Sequence, residues 1–302
     1  MPLSQLPPPP PGLHCQVEQF CSLAEFQHYT QSSFSTWPRQ VQQALRLIAL
    51  NGITEPFSGE RIAAPDIILA HGNYRETLEA RGWLARHRAV MLVVERLLAG
   101  GVLPPRERLE VYCPEAVTVF SDRLRGLFPR FLGSEFMPDP SHPLRSSVPH
   151  QDLCNLTLSD ECVDLVIANE VFEHLYDLPA ALGEIARILR PGGYFTGTFP
   201  FAYDRYTTII KVRHREGARP GVVAEEELLT EPEFHGNPVD PELGSLVYQI
   251  PGWDLLDQAS AAGLSDPCIH WIASPSHGVV GQEIPGLMVL VATKASQRPT
   301  DG

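Results

Sequence analysis

The chain has 302 residues, 43% of them hydrophobic and 20% charged, with a formal net charge of −13. This is globular composition, long enough for one large α/β domain or for a domain with a cap. The acidity argues against a general nucleic-acid or anionic-membrane binder, which needs clustered Lys and Arg. No apolar run approaches the ~20 residues that span a bilayer, and no charged-then-apolar leader opens the chain, so a cytoplasmic location is expected.

Residues 1–13, with the Pro7–Pro11 run, read as a disordered or polyproline tail. Residues 17–30 and 39–50 carry apolar side chains at helical spacing, and Asn51-Gly52 stops the second helix. Residues 53–73 are irregular and rich in Gly and Pro. Residues 81–98 form another expected helix, with Leu84, Val90, Met91, Val94, Leu97 and Leu98 buried and Gly100-Gly101 as its stop. Residues 14–104 therefore read as a helical N-terminal cap.

The pattern changes after Pro104-Pro105. Strands are expected at 108–113, 131–136, 164–168 and 194–199, with helices at 121–128 and 177–189, the latter ended by Pro191-Gly192-Gly193. The run Asp164-Leu165-Val166-Ile167-Ala168 is continuous, as a buried parallel strand should be. Residues 202–244 are irregular and read as a lid insertion. A strand at 245–250, a helix at 253–262 and strands at 268–273 and 287–293 follow. Strand–helix alternation over 105–302 predicts an α/β fold of Rossmann-like type: a mostly parallel sheet with helices on both faces.

Six cysteines, at 15, 21, 113, 154, 162 and 268, show no CxxC pair and no zinc spacing. They are expected to be reduced thiols, and no metal site is expected.

Ligands of an open parallel sheet bind at the carboxyl ends of its strands. Acidic residues recur there: Glu110 on the first strand, Glu135 on the second, Asp152 at the third and Glu170 and Glu173 after the fourth. Repeated acids repel one another unless a ligand's donors satisfy them. Glu135, 25 positions after Glu110, suits a grip on ribose hydroxyls. The competing reading is that such acids cap the following helices. For Glu135 and Asp152 ligand binding is favoured, and for Glu173 capping.

Residues 150–201 resemble the core of class I S-adenosylmethionine (SAM) dependent methyltransferases. The resemblance rests on the joint pattern DL…D-x-x-x-D-L-V…F-E-H…A-L-x-E-I-x-R-I-L-R-P-G-G and reaches roughly residues 106–294. It implies that Glu135 holds both ribose hydroxyls, that Asp152 receives the adenine amino group with Leu153 against the ring, and that Asn169 lies near the methionine end. Glu110 matches the acid that opens the first motif. The three glycines that follow this acid in the family are here Tyr112, Pro114 and Ala116. Proline has no N–H and a fixed φ. Either the loop runs differently and other elements hold the methionine part, or the site is defective, or SAM takes an altered pose.

Arg75 is a candidate bidentate partner for SAM's carboxylate, against a plain exposed arginine at a helix start. Tyr176 is the leading aromatic face for the sulfonium, ahead of Tyr203, Tyr206, Tyr112, Trp37 and Phe34, which read as core. His174 is a candidate general base or a wall of the site, and residues 235–238 read as a lid turn. Three functions follow from the resemblance. The first is a small-molecule methyltransferase in biosynthetic metabolism, its acceptor the partner of SAM, with Tyr176, Asn169 and His174 around the reaction. The second is a SAM cyclase, in which the α-amine attacks the γ-carbon to give azetidine-2-carboxylate and methylthioadenosine, the amine oriented by Asn169, Asp139 or Thr198. The third is an inactive SAM-binding partner protein.

Overall fold

The computed structural model describes residues 15–296, and the expected tail over residues 1–13 lies outside them. Strand β1 is Gln16–Phe20, followed by helices α1 (Leu23–Ser33), α2 (Trp37–Asn51) and α3 (Ala85–Ala99). Then come β2 (Glu110–Cys113), α4 (Val119–Leu127), β3 (Arg130–Gly133), β4 (Val163–Asn169), α5 (Leu178–Ile188) and β5 (Leu189–Thr198). The chain closes with α6 (Asp254–Ala261), β6 (Leu264–Ala273) and β7 (Leu287–Lys294). These strands form one seven-stranded sheet in the order β1-β6-β7-β5-β4-β2-β3. Its β3-β2-β4-β5 half is parallel, while β1 runs antiparallel to β6, so the sheet is mixed. The Rossmann-like reading of the strand–helix alternation holds.

By spatial contacts the chain forms two units. One comprises residues 1–105 with 268–291, and the other residues 106–267 with 292–302. The division at Pro105 falls where the composition changes. The sequence reading had placed everything after 104 in the second unit, however, and residues 268–291 belong to the first.

Within the second unit, β4 is buried at every position, which is why Leu165–Ala168 is an unbroken apolar run, with Asp164 before it and Asn169 after it both hydrogen-bonded. It registers with β5 from Leu165↔Tyr194 to Asn169↔Thr198. Gly197 allows this pairing, because a Cβ there would stand 2.0 Å from the Ala168 carbonyl oxygen. Helix α4 starts where Thr118 Oγ1 accepts the Ser121 N–H at 3.1 Å. Helix α5 starts where Asp177 Oδ1 accepts the Ala180 N–H at 3.0 Å, with a proline in its first turn. These caps hold the chain as it leaves the strand ends. The Pro191-Gly192-Gly193 segment does not separate helix from strand, since β5 already begins at Leu189 and runs through it. The expected strand at 245–250 is two short ladders instead. Ser245–Leu246 pairs with Phe234–His235, and Gln249–Ile250 with Ile209–Ile210.

Three corrections concern the first unit. Residues 17–20 are strand, not helix; Val17 and Phe20 stand three apart and mimic a helical stripe, but they pair with Ile272 and Ile269. Helix α1 begins only after Ser22, whose hydroxyl accepts the Glu25 N–H. Because β1 lies against β6, Cys21 and Cys268 come to a Cα separation of 4.5 Å and form a disulfide; the expectation of six reduced thiols is wrong for this pair. The stretch 53–73 is also less irregular than expected: Ile53–Thr54 pairs with Arg61–Ile62, and Ile67–Leu69 with Leu78–Ala80. The guanidinium of Arg88, 1% exposed, donates to three backbone carbonyls, those of Trp83, Leu78 and Gly278, at 2.6, 2.9 and 2.9 Å. No helix among the described residues is long and apolar enough to cross a membrane.

Candidate cofactor and reaction site

Glu135 lies two residues past β3, bridged in parallel to His150. Its carboxylate is 9% exposed and accepts one backbone donor, the Val117 N–H at 2.9 Å. Burial pushes its pKa up to about 7, and the Val117 N–H opposes that rise. Asp152 Oδ1 accepts the Cys154 N–H at 2.9 Å, and its Oδ2 accepts the Tyr176 hydroxyl at 2.6 Å. Leu153 beside it is buried. Tyr112 is fully buried, and its hydroxyl lies 2.8 Å from Ser134 Oγ. Burial raises its pKa first, with the charges of Glu135 and Asp152 adding to the rise. Glu135, Asp152, Tyr112 and Tyr176 thus share one neighbourhood at the strand ends.

Asn169 ends β4. Its backbone N–H and its side-chain amide both donate to Glu115 Oε1, at 2.7 and 3.2 Å. Thr198, at the end of β5, has its hydroxyl 3.1 Å from Asn169 Oδ1 and 2.9 Å from Glu170 Oε1. Glu170 takes a φ of +53°, the left-handed region that a non-glycine residue occupies at a cost. The sequence reading missed Glu115. The signal was present, because a carboxylate stands inside the loop where the family carries glycines.

Glu110 does not join this cluster. It opens β2 rather than closing it, opposite Arg130 in the register, and Arg130 Nη1 donates to its Oε1 at 2.8 Å. Its own N–H is bound by Asp164. Three residues of strand, ~10 Å, separate it from the carboxyl end, so its assignment as a cofactor residue is withdrawn. Asp139 also serves elsewhere, accepting the N–H and hydroxyl of Ser141 in an exposed turn. Arg75 belongs to the first unit, in the short helix Tyr74–Thr77, where it pairs with Glu76.

The Tyr176 ring packs 4.6 Å, centroid to centroid, from the ring of His214 in the insertion, and against the buried cluster of Val212, Leu246 and Tyr248. Buried Glu226 holds His214 Nδ1 at 2.9 Å and accepts the Tyr248 hydroxyl at 2.6 Å. The insertion is therefore anchored on Tyr176 through a charged network that no periodicity signals. His174 donates its Nδ1–H to the Leu246 carbonyl at 2.9 Å, and its other nitrogen faces Glu173 rather than the Asn169 cluster.

Residues 136–196 match the family described as "Methyltransferase domain". A protein of Mycolicibacterium smegmatis described as "Probable S-adenosylmethionine-dependent methyltransferase" is 31% identical over 150 residues, which is 48% of this chain and 51% of that protein. A malonyl-[acyl-carrier protein] O-methyltransferase of Pectobacterium atrosepticum is 50% identical over 42 residues, 14% of this chain and 17% of that protein. The chain thus spans about half the length, or less, of the curated relatives it matches. The solved structure of an S-adenosylmethionine dependent methyltransferase from Mesorhizobium loti aligns with 64% of this chain and 94% of its own, at 13% identity and a TM-score of 0.41. In sequence the chain is similar to class I SAM-dependent methyltransferases.

Proposed function

We propose that the protein is a SAM-dependent methyltransferase acting on a small molecule in biosynthetic metabolism. The observation that carries this reading is the pair Glu135, a buried acceptor two residues past β3, and Asp152, a half-buried acceptor in the loop after His150, to which Glu135 is bridged; the expected third strand there is only that isolated bridge. The ribose hydroxyls and the adenine amino group are donors, so the residues fit the adenosine half of SAM. Glu115 suits an α-ammonium group. Pro114 removes one N–H that a glycine loop would offer the α-carboxylate, which leaves that end to other residues. Residues 202–244 are the proposed lid.

When bound, SAM supplies an electrophilic methyl carbon. The chain's own contribution is positioning and exclusion of water. Glu115 orients Asn169, Thr198 braces Asn169 and Glu170, and Tyr176 closes against Asp152. The cytoplasmic location belongs to the same proposal. The Cys21–Cys268 disulfide argues against it, since such bonds are rare in that compartment. Alkylation of the cysteines at cell lysis, followed by mass spectrometry, settles the point.

A second reading, SAM cyclisation, is favoured by the buried carboxylate of Glu115 beside Asn169. It could accept the proton that an α-ammonium must lose before its nitrogen attacks the γ-carbon and displaces methylthioadenosine. One incubation tests both: the protein with SAM, with and without candidate acceptors, followed by product analysis. S-adenosylhomocysteine formed only with an acceptor supports transfer, and methylthioadenosine without one supports cyclisation. Binding of SAM by calorimetry with neither product leaves the inactive partner protein, and absence of binding refutes all three.

A further inference from the structure

Glu173 is the most unusual buried charge in the second unit. It is 0% exposed, yet neither of its carboxylate oxygens has a hydrogen-bond partner. Such a group costs several kcal/mol unless a counter-charge compensates it. Two imidazoles surround it. His174 Nε2 is 3.6 Å from Glu173 Oε1, and His235 Nδ1 is 3.5 Å from the same oxygen. Both separations are too long for hydrogen bonds.

The outer contacts of the two rings fix which nitrogen of each faces inward. The Leu246 carbonyl can only accept, so His174 carries its proton on Nδ1. In a neutral ring Nε2 then presents a lone pair to a carboxylate. His235 Nε2 lies 3.3 Å from Glu233 Oε1, which holds a proton on that nitrogen outward, and its Nδ1 faces Glu173. With both rings neutral, two lone pairs and a carboxylate aimed at one point repel each other; a proton on His235, whose pKa Glu173 and Glu233 raise, or a metal ion between the three groups relieves the repulsion. The backbone holds all three groups: Glu173 O accepts the Tyr248 N–H at 2.7 Å and the His174 N–H donates to the Val171 carbonyl at 2.9 Å, and His235 lies in the ladder with Ser245.

We propose that Glu173, His174 and His235 form a binding site for a divalent transition-metal ion of the zinc class. Ligand atoms about 2.1 Å from a tetrahedral ion lie about 3.4 Å apart. The observed 3.5 and 3.6 Å match that spacing, and all three ligand atoms lie within 4.8 Å of one another. Two imidazoles and one carboxylate leave a fourth position open, the pattern of sites that also take water or a substrate atom. The outer partners Leu246 and Glu233 orient the rings as metal-bound histidines require. The ion would pin His235, from the insertion, to the segment that follows β4. No cysteine takes part in this cluster, so cysteine spacing carries no sign of it.

The proposal does not rest on SAM use, and its test uses none. The full-length protein is stripped with chelator and titrated with Zn²⁺ against a chromophoric competitor, then with Co²⁺ while its visible absorption is followed. One ion per chain, bound with micromolar or tighter affinity, and a tetrahedral Co²⁺ spectrum are expected. Zn²⁺ alone should raise the melting temperature. His235→Gln, at a half-exposed position, should weaken binding at least tenfold and remove the thermal shift. Glu173→Gln should do the same if it folds. Absence of Zn²⁺ binding overturns the proposal and leaves a histidinium–carboxylate cluster, seen as a pH-dependent melting temperature insensitive to metal. Binding unchanged in His235→Gln also overturns it, as an adventitious surface ion.

Discussion

The hydroxyl of Tyr176 donates to Asp152 Oδ2 at 2.6 Å, so the aromatic residue expected to face a sulfonium is tied to the carboxylate expected to face adenine. An adenine amino group must share that oxygen or displace the hydroxyl. Asp152→Ala should weaken SAM binding about ten- to a hundredfold, the loss of a charge-assisted hydrogen bond worth about 1.5–3 kcal/mol. Tyr176→Phe removes the competing donor and should leave affinity unchanged or improved within about tenfold, a net bond being worth about 0.5–1.5 kcal/mol. Calorimetry on the two variants decides. A large loss of affinity in the Phe variant would mean that the hydroxyl orients Asp152 rather than competing for it.

Glu135 sets an opposite pair of pH dependences. Its folded pKa of about 7 lies above the ordinary carboxylate value because of burial. The folded chain therefore holds a proton that the unfolded chain has released, and the associated stability is present at low pH and lost as pH rises through about 7. Binding of ribose hydroxyls requires the ionised form. SAM affinity should accordingly rise up to about tenfold from pH 6 to pH 8, while the unliganded protein loses stability over the same range. Glu135→Gln should flatten both curves, as measured by calorimetry and thermal melting.

Arg88 should be intolerant of truncation. Burial lowers its pKa to about 9, so it remains charged at neutral pH, and its fork serves three carbonyls. Arg88→Met leaves these acceptors dry and unpaired, at a cost on the order of 3 kcal/mol. Arg88→Lys should recover only part of it, since an ammonium lacks the planar fork. Denaturant titration of the three proteins measures the difference.

Acid should loosen the first unit. Burial lowers the pKa of His270 to about 3 and that of His277 to about 4. As pH falls below about 6.5 the unfolded chain takes up protons that the folded one refuses, so stability declines progressively toward pH 4. His270→Phe, which removes one such group and leaves no polar atom behind, should make the melting temperature less sensitive between pH 7 and pH 5. An unchanged slope would show that His270 is not part of the acid response.

The legible parts of the fold were those whose local pattern agrees with their burial. Strand β4 is apolar from Leu165 to Ala168 because both of its faces are covered, and α5 shows a clean stripe. Strand β1 was misread because five residues with Val17 and Phe20 satisfy helical spacing as well as pairing. The disulfide was hidden with it, since nothing else brings Cys21 to Cys268. At the site, Glu135 and Asp152 could be named because an acid at a strand end is conspicuous. Glu110 was misplaced because sequence shows that a residue lies in a strand but not at which end it sits. Glu115 was passed over because the loop was judged by its missing glycines. His235 could not be joined to Glu173 because the intervening insertion has no periodicity, and its short ladder with Ser245–Leu246 exists only in three dimensions.

The first unit is built from two stretches far apart in sequence, residues 1–105 together with 268–291. During synthesis its helices α1, α2 and α3 emerge without the strands that complete their unit. At about 5–20 residues per second the ribosome needs about ten to thirty seconds to reach the returning segment. Over that interval Trp37, Val41, Ile48 and the Arg88 guanidinium, all buried in the finished molecule, lack their final surroundings. The second unit is complete but for its last few residues before the first can close. The nascent N-terminal segment is thus the part that a chaperone would have to shield, and a chain terminated before residue 268 would expose it permanently.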